Sequence, residues 1–223
     1  MLITLEQLKQ KFNLNIKGII HCGAHHAEES DDYERYGISK VVWVEGNSEL
    51  VPIVESKVSN LPENKVLNYL IYDEDGKELE FKITNNTQSS SVLDFGTHKH
   101  TYPGINFIKS QVKKAYTLKH IIEKENLKME DYNMLNLDLQ GVELRALKGM
   151  GDYIDSIDYV YTEINDAMVY EGNDLLVDLE DYLLSKGLYR ADIHLLSHLG
   201  WGDAFYVRRP VQEVYIHPDP NKS

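Results

Sequence analysis

Acidic side chains at the ends of predicted strands are the main candidates for chemistry in this sequence. Asp138 lies in the run Leu-Asp-Leu at the end of one apolar segment, and Glu163 lies at the end of the next. Glu143 follows Asp138 at the start of a predicted helix. Because parallel strands present their carboxyl ends at one rim, these carboxylates could hold Mg²⁺, orient a hydroxyl or act as a general base.

Two of these acids also have a structural interpretation. Asp138 could cap the following helix, and Glu143 could interact with the positive end of that helix. A carboxylate inside Leu-Asp-Leu is costly to bury without a purpose, so a ligand-binding or catalytic role is favoured for Asp138. The structural interpretation is favoured for Glu143.

A glycine turn and a further acid predict a nucleoside site. A short apolar run ends in Gly23 and Ala24, and a second run, 41–44, ends at Glu45. An acid about 20 residues after a glycine turn is where a Rossmann-like unit holds the hydroxyls of a ribose. A buried structural turn followed by a surface glutamate explains these residues equally well.

Four histidines could take part in a site. His25 and His26 directly follow the glycine turn. Neighbouring side chains at a helix start are expected to point in different directions, so no shared metal ion is predicted, and His25 either contacts a ligand or is solvated. His194 and His198 have a zinc-binding spacing if they lie on a helix, but the residues around them resemble a strand and provide no third ligand. A role as general base or substrate contact is favoured for this pair.

Composition limits the classes of function. The chain has 223 residues, of which 42% are hydrophobic, and a formal net charge of -13. This length fits one α/β domain with a real core. The charge argues against general nucleic-acid binding and against docking on an anionic membrane. No apolar stretch approaches the ~20 residues of a membrane span, and the N-terminus lacks the pattern of a signal peptide. The single cysteine, Cys22, favours a reducing compartment, so a cytoplasmic location is expected.

Alternating strand-like and helix-like segments predict the fold class. The pattern is typical of an α/β protein with a mostly parallel sheet and helices on both faces. Two final strand-like segments, 188–195 and 204–208, predict an antiparallel edge. We predict a single domain over 1–223, with an N-terminal helical extension at 1–17 and a loosely attached tail at 210–223.

One long segment interrupts this alternation. Residues 84–111 are rich in Asn, Ser, Gly and His and show no sustained hydrophobic period. A loop of this length in a compact domain is usually functional or disordered. We expect either an insertion or lid that lines a substrate pocket, or a mobile surface excursion.

As a set, the motifs resemble those of the FkbM family of S-adenosylmethionine-dependent methyltransferases, over roughly 18–208. Ile-His-Cys-Gly-Ala-His at 20–25 is similar to the first cofactor motif of that family, and Val-Trp-Val-Glu at 42–45 to the strand whose acid holds the cofactor ribose. Ser-Ser-Ser-Val-Leu at 89–93 resembles its Ser-Ser-Leu stretch. The most distinctive match is 137–149, Leu-Asp-Leu-Gln-Gly-Val-Glu-Leu-Arg-Ala-Leu-Lys-Gly.

The resemblance implies a fold, a cofactor and a set of site residues. The implied fold is the Rossmann-like class I methyltransferase fold with a seven-stranded sheet, and the implied cofactor is S-adenosylmethionine. The implied cofactor-binding residues are Gly23, Ala24, His25, Glu45, Asn47 and Asp138. The candidate catalytic residues are Asp138, His194 and His198. No metal ligands are assigned, and a requirement for Mg²⁺ is left open.

The implied reaction is O-methylation of a hydroxyl on a sugar or other small natural-product-like acceptor, which is either free or part of a glycan. No nucleic acid is expected as a partner, and the oligomeric state is left open. Three residues depart from the family pattern: His21 replaces an acid, Ala27 a glycine and Gln140 a glutamate. Gln140 keeps open a non-catalytic relative that only binds the cofactor. A nucleotide-binding α/β enzyme of another class is the further alternative, although the sequence lacks the Gly-X-Gly-X-X-Gly of a pyrophosphate site.

Overall fold

The computed structural model describes residues 1–208 as alternating strands and helices. The helices are α1 (Leu5–Lys11), α2 (Ser30–Arg35), α3 (Val51–Lys57), α4 (His98–Thr101), α5 (Leu118–Lys124), α6 (Glu143–Lys148) and α7 (Leu176–Ser185). The strands are β1 (Gly18–Cys22), β2 (Lys40–Glu45), β3 (Asn64–Asn68), β4 (Leu70–Ile71), β5 (Glu78–Thr84), β6 (Phe107–Tyr116), β7 (Met134–Leu137), β8 (Tyr159–Asn165), β9 (Tyr189–Leu196) and β10 (Trp201–Val207). The tail predicted at 210–223 lies outside the described residues.

Seven strands form the main sheet in the order β3-β2-β1-β7-β8-β10-β9. The pairs β2–β3, β1–β2, β1–β7 and β7–β8 are parallel, whereas β10 is antiparallel to both β8 and β9. The prediction of a mostly parallel seven-stranded sheet with an antiparallel pair at one edge is therefore confirmed. The reversed strand is β10, which lies one place in from the edge strand β9.

Both faces of this sheet are buried under helices, as predicted. All five residues of β1 are buried, and neighbours such as Ile19 and Ile20 belong to different cores because successive side chains point to opposite faces. One core contains residues of α1, α2 and α3, and the other contains residues of α5, α6 and α7. Each fully buried leucine or isoleucine contributes roughly 1.5–3 kcal/mol by leaving water.

The N-terminal helix begins with a capping box, which the spacing of Thr4 and Gln7 in the sequence predicts. The Gln7 amide donates to the Thr4 hydroxyl at 3.2 Å, and the Thr4 amide donates to Gln7 Oε1 at 2.8 Å. Two otherwise unpaired donors of the helix start are thereby satisfied. Leu5 and Leu8 are buried and pack α1 against the sheet.

A second, three-stranded sheet differs from the sequence prediction. The loose alternation of residues 65–72 predicts a single strand, but Asn64–Asn68 pairs in the main sheet and Leu70–Ile71 pairs with β6. β5 pairs with β6 rather than with the preceding strand. β6 also begins at Phe107, inside the loop predicted at 84–111. Most of its first half is exposed, so its residues lack the apolar alternation that marks a half-buried strand.

The remaining insertion, 85–106, is anchored to the rest of the domain. A short 3-10 turn spans Thr87–Ser89, and α4 follows further on. Backbone amides of Thr97 and His98 donate to the segment 168–169 at 2.9 and 3.1 Å, and the Glu171 amide donates to Asp94 at 2.8 Å. The insertion thus lies across the segment that follows β8. Within residues 1–208, no helix is both long and apolar enough to cross a membrane.

Candidate functional site

The site begins at the tight turn after β1. Gly23 has φ +84, and its amide donates to the Val44 carbonyl at 2.9 Å. A Cβ at this position would lie 1.9 Å from the Asp138 carbonyl oxygen. Only glycine permits this contact, since it lacks a Cβ and adopts positive φ at little cost. The turn therefore brings the ends of β1, β2 and β7 together.

Glu45, the last residue of β2, is held by backbone donors. The His25 amide donates to Oε2 at 2.8 Å, and the Asn47 amide donates to Oε1 at 2.6 Å. Burial raises the pKa of Glu45, and these two N–H groups oppose the rise. Each carboxylate oxygen retains a further lone pair for a ligand, and the two amides fix its direction.

The first cavity lies at the ends of β1 and β2 and encloses about 1010 Å³, part of it open to solvent. Gly23, His25 and Glu45 line its polar part. Its apolar lining residues are Val44, Leu50, Leu70, Ile71, Phe81 and Val142. A cavity with a carboxylate and an apolar wall suits a ligand that combines hydroxyls with a flat, weakly polar ring.

Gln140 joins two acids at the end of β7. Its side-chain nitrogen donates to Asp138 Oδ1 at 2.5 Å and to Glu163 Oε2 at 2.8 Å, while its Oε1 accepts from the Tyr170 hydroxyl at 2.5 Å. A neutral amide with two donors satisfies both carboxylates at once. A glutamate at this position would add a third carboxylate, so glutamine is the residue that this arrangement accommodates.

Many protein atoms surround Asp138, but its side chain is exposed to solvent through the cavities. Burial raises the pKa of Asp138, the hydrogen bond from Gln140 lowers it, and the charge of Asp203 raises it further, for a net rise. A carboxylate whose pKa is raised towards neutrality is a better proton acceptor at physiological pH.

The second cavity adjoins the first, because Asp138, Gln140 and His21 line both. It encloses about 1150 Å³, part of it open to solvent. Its aromatic lining residues are His98, Tyr102, Tyr161, Tyr170 and Trp201. Its acidic lining residues are Glu29, Asp138, Glu163 and Asp203. No lysine or arginine is among the lining residues within the part of the chain that the structure describes.

Comparison with protein families shows to which family this chain belongs. The profile of the methyltransferase FkbM domain matches residues 21–190, which include the glycine turn, Glu45, Asp138, Gln140 and Tyr170. The chain belongs to the FkbM methyltransferase family. The resemblance found in the sequence motifs is confirmed. Comparison of the sequence with curated proteins gives no match.

Several solved structures are similar to this FkbM methyltransferase at low identity. Magnesium protoporphyrin IX methyltransferase from Synechocystis PCC 6803, with bound S-adenosylmethionine, is 10% identical with a TM-score of 0.47, over 86% of this chain and 69% of that chain. A putative tRNA (m1A22) methyltransferase from Streptococcus pneumoniae is 10% identical with a TM-score of 0.46, over 85% and 62%. TrmK from M. capricolum, in complex with S-adenosylhomocysteine, is 8% identical with a TM-score of 0.44, over 87% and 63%. This chain spans less than two thirds of the last two.

The FkbM methyltransferase brings most of the predicted cofactor residues to one place. Gly23, His25, Glu45 and Asp138 line the first cavity. Ala24 and Asn47 are buried and do not line it. The Asn47 amide instead supports Glu45, and Ala24 packs in the core below the turn.

His194 and His198 are not brought to this place. His194 lies on β9, His198 lies in the turn that follows, both are exposed, and neither lines either cavity. The two residues do not share a helix, so the spacing considered for zinc does not apply. His194 lies opposite Asp203 of β10 in the sheet, and a catalytic role for either histidine stays a prediction.

The structure also differs from the prediction for the side chains of His25 and His26. Their rings stack with centroids 3.9 Å apart, so the prediction that they point in different directions is wrong. With Glu28 they form the only group of three or more His, Cys, Asp or Glu side chains in residues 1–208 whose ligand atoms converge within 4.8 Å. Asp138 and Glu163 belong to no such group, so the magnesium arrangement considered for the strand-end acids is not formed.

Two departures from the family pattern have local explanations. Ala27 has φ +54, a conformation that favours glycine and that an alanine adopts at some cost. His21 is buried, stacks on Trp43 at 4.8 Å and contacts the Tyr33 hydroxyl at 3.1 Å. Burial lowers the pKa of His21, which favours its neutral form.

Other residues of the site were not found by sequence reasoning. Tyr170 donates to Gln140, Asp203 accepts from the Tyr161 hydroxyl, and Trp201 Nε1 donates to the Tyr102 hydroxyl at 3.3 Å. Tyr170 lies in the loop after β8, where no motif marks it. Trp201 and Asp203 are exceptions, because their segment is too polar and glycine-rich for a plain hairpin turn and the sequence predicts that 194–203 shapes the acceptor site.

Glu143 makes the free energy of unfolding of the protein depend on pH. Its Oε1 accepts from the amides of Leu139 and Gly141 at 2.8 and 3.2 Å, and burial raises its pKa from 4.5 to about 8. The unfolded chain ionises this group near its ordinary pKa, so the unfolded state binds fewer protons between these values and stability falls as pH rises. Below about pH 4.5 the stabilising contribution of protonated Glu143 is fully present.

Glu143→Gln is expected to reduce this loss, because glutamine keeps an oxygen for both amides and cannot ionise. Between pH 5 and 8 the wild-type protein should lose on the order of 2 kcal/mol more unfolding free energy than the variant. Urea denaturation at both pH values measures this, with the exposed Glu171→Gln as control. The neighbouring Asp138 and Glu163 titrate in the same direction, so a residual slope is expected. Equal slopes in wild type and Glu143→Gln would contradict the assignment.

Proposed function

We propose that this FkbM methyltransferase uses S-adenosylmethionine to methylate a hydroxyl of a sugar or other small natural-product-like acceptor. The observation that carries the proposal is the junction of the two cavities. Asp138 lies where the cavity containing Glu45 meets the acidic and aromatic second cavity. A cofactor in the first and an acceptor in the second would meet beside a carboxylate.

The residues of the first cavity fit S-adenosylmethionine. Glu45 is positioned by two amides and can accept hydrogen bonds from ribose hydroxyls. Leu70, Ile71 and Phe81 provide an apolar surface on which an adenine ring can pack. The close turn at Gly23 lets the backbone approach the rest of the cofactor.

The second cavity favours a neutral acceptor with several hydroxyls. Its acids and its Asn, Gln and Ser side chains offer hydrogen-bond partners, and Tyr102 and Trp201 offer flat faces for a sugar ring. The absence of lysine and arginine from its described lining disfavours phosphorylated or carboxylated acceptors. Together with the net charge of -13, it also disfavours a nucleic acid.

The chain mainly positions and deprotonates the reactants. When bound, S-adenosylmethionine supplies a methyl group that its sulfonium has already activated. Asp138 would accept the proton of the acceptor hydroxyl during methyl transfer. Gln140 holds Asp138 in place, and the walls of the second cavity would orient the hydroxyl.

Calorimetric titration tests the cofactor assignment. S-adenosylmethionine and S-adenosylhomocysteine are each expected to bind the wild-type protein, whereas NAD is not. Glu45→Ala should weaken binding by about 100-fold, since it removes the ribose acceptor and frees two amides of the turn. Glu49→Ala is the matched control, because Glu49 is an exposed acid in the same loop.

Circular dichroism of Glu45→Ala separates lost binding from lost folding. Absence of binding to either sulfur nucleoside by the wild-type protein would overturn the proposal, as would binding of NAD alone.

A further inference from the structure

We propose that His25, His26 and Glu28 bind a divalent transition metal ion of the zinc class at the mouth of the first cavity. Two imidazoles and one carboxylate are brought within 4.8 Å of one another by a loop of four residues. The methyl-transfer chemistry described above does not require this group. The inference does not depend on the proposed function, because metal binding is measured without cofactor or acceptor.

Backbone geometry creates the convergence. His25 and Ala27 both have positive φ, +45 and +54, so the chain folds tightly between β1 and α2. The two imidazole rings consequently stack at an angle of 27° instead of diverging. Positive φ is uncommon in non-glycine residues and clusters at functional positions, which makes two such residues in one short loop notable.

The hydrogen bonds of His25 select its metal-binding nitrogen. Nε2 lies 2.7 Å from the Thr87 hydroxyl, and Nδ1 lies 2.6 Å from Glu28 Oε1. Histidine ligands commonly use one nitrogen for the metal and hold the other against a hydrogen-bond partner. Thr87 therefore holds Nε2, while Nδ1 and the Glu28 carboxylate face the same point.

The ligand set favours zinc or a similar ion over magnesium. Imidazole suits Zn²⁺, Co²⁺ and Ni²⁺, whereas Mg²⁺ prefers an all-oxygen shell. Ligand atoms that converge within 4.8 Å need only a small movement to surround an ion with bonds of about 2.0–2.2 Å. The exposed side of Glu28 leaves a fourth position open to water.

The site would also link two parts of the domain. Thr87 belongs to the insertion, and His25 belongs to the loop that holds Glu45. An ion on His25 would hold the imidazole against Thr87 and so restrain the insertion over the first cavity.

Cobalt substitution tests this proposal. Protein prepared without a histidine tag and treated with chelator is titrated with Co²⁺ and followed by visible absorption, and then with Zn²⁺ by calorimetry. One equivalent should bind, and a Zn²⁺ concentration 100-fold above Kd should raise Tm by about 5–10 °C. His26→Ala and Glu28→Gln should each abolish the stoichiometric site, and Thr87→Val should weaken it 10–100-fold.

The controls keep the result interpretable. His194→Ala removes an exposed histidine on β9, away from the loop, and should bind Co²⁺ as the wild type does. Glu28→Gln changes an exposed side chain and tests the site even if His26→Ala fails to fold. No binding of Co²⁺ or Zn²⁺ at millimolar concentration by the wild type would overturn the proposal. Stoichiometric binding that survives in both His26→Ala and Glu28→Gln would also overturn it.

Discussion

Gly23→Ala is expected to destabilise the folded protein by at least about 3 kcal/mol. The new Cβ would lie 1.9 Å from the carbonyl oxygen of Asp138, so the ends of β1 and β7 must separate. Alanine would also have to adopt φ +84, which by itself costs roughly 1–2 kcal/mol. Urea denaturation measures the change in unfolding free energy, and the expected fall in Tm is about 6–12 °C.

Gly76→Ala separates the two causes of this loss. Gly76 has φ +74, similar to Gly23, but no heavy atom lies within 4 Å of a Cβ built there. This control should therefore lose only the cost of the left-handed backbone. If Gly23→Ala and Gly76→Ala were destabilised equally, the contact with Asp138 would not be the reason for glycine in the turn.

Asp138→Asn is expected to lower the rate of methyl transfer by about 10²–10⁴ while the Kd for S-adenosylmethionine changes only a few-fold. Asparagine retains an oxygen that accepts from Gln140 at the same place, so the geometry of the junction is preserved. It cannot accept the proton of the acceptor hydroxyl. A large effect on kcat with little effect on cofactor binding distinguishes a base from a binding residue.

Transfer of a labelled methyl group to a panel of sugars and small hydroxylated acceptors provides the assay. The acceptor is selected with the wild-type protein and then used for the variants. Asp166→Asn is the matched control, because Asp166 is an exposed acid just beyond the end of β8 and lines neither cavity. A rate for Asp138→Asn within about threefold of wild type would refute the role of Asp138 as base.

Gln140 stands where the family pattern has a glutamate, and it holds Asp138 in place. Gln140 donates to both Asp138 and Glu163, and Tyr170 donates to Gln140. The Gln140 amide satisfies both acids by donating a hydrogen bond to each. Glutamine therefore forms a complete hydrogen-bond network at this position. Asp138 remains available at the junction of the cavities.

Much of the parallel sheet followed from the sequence for a local reason. The apolar runs predict strands at 18–22 and 41–45, within one residue of the observed β1 and β2, because buried strands contain continuous apolar residues. Glu45 and Asp138 are predicted to lie close together because the carboxyl ends of parallel strands meet at one rim, and both line the first cavity. Both signals depend on residues adjacent in the chain.

Tertiary structure decided the features that depend on distant or unusual contacts. Local periodicity does not predict how separate segments meet. Three features depend on such contacts: the pairing of β5 with β6, the placement of Tyr170 beside Gln140, and the exposed positions of His194 and His198. The convergence of His25, His26 and Glu28 depends on positive φ at non-glycine residues, which the sequence pattern does not predict. The sequence by itself thus determined the sheet, the family and the two main acids, whereas only the three-dimensional structure determined which histidines share a site.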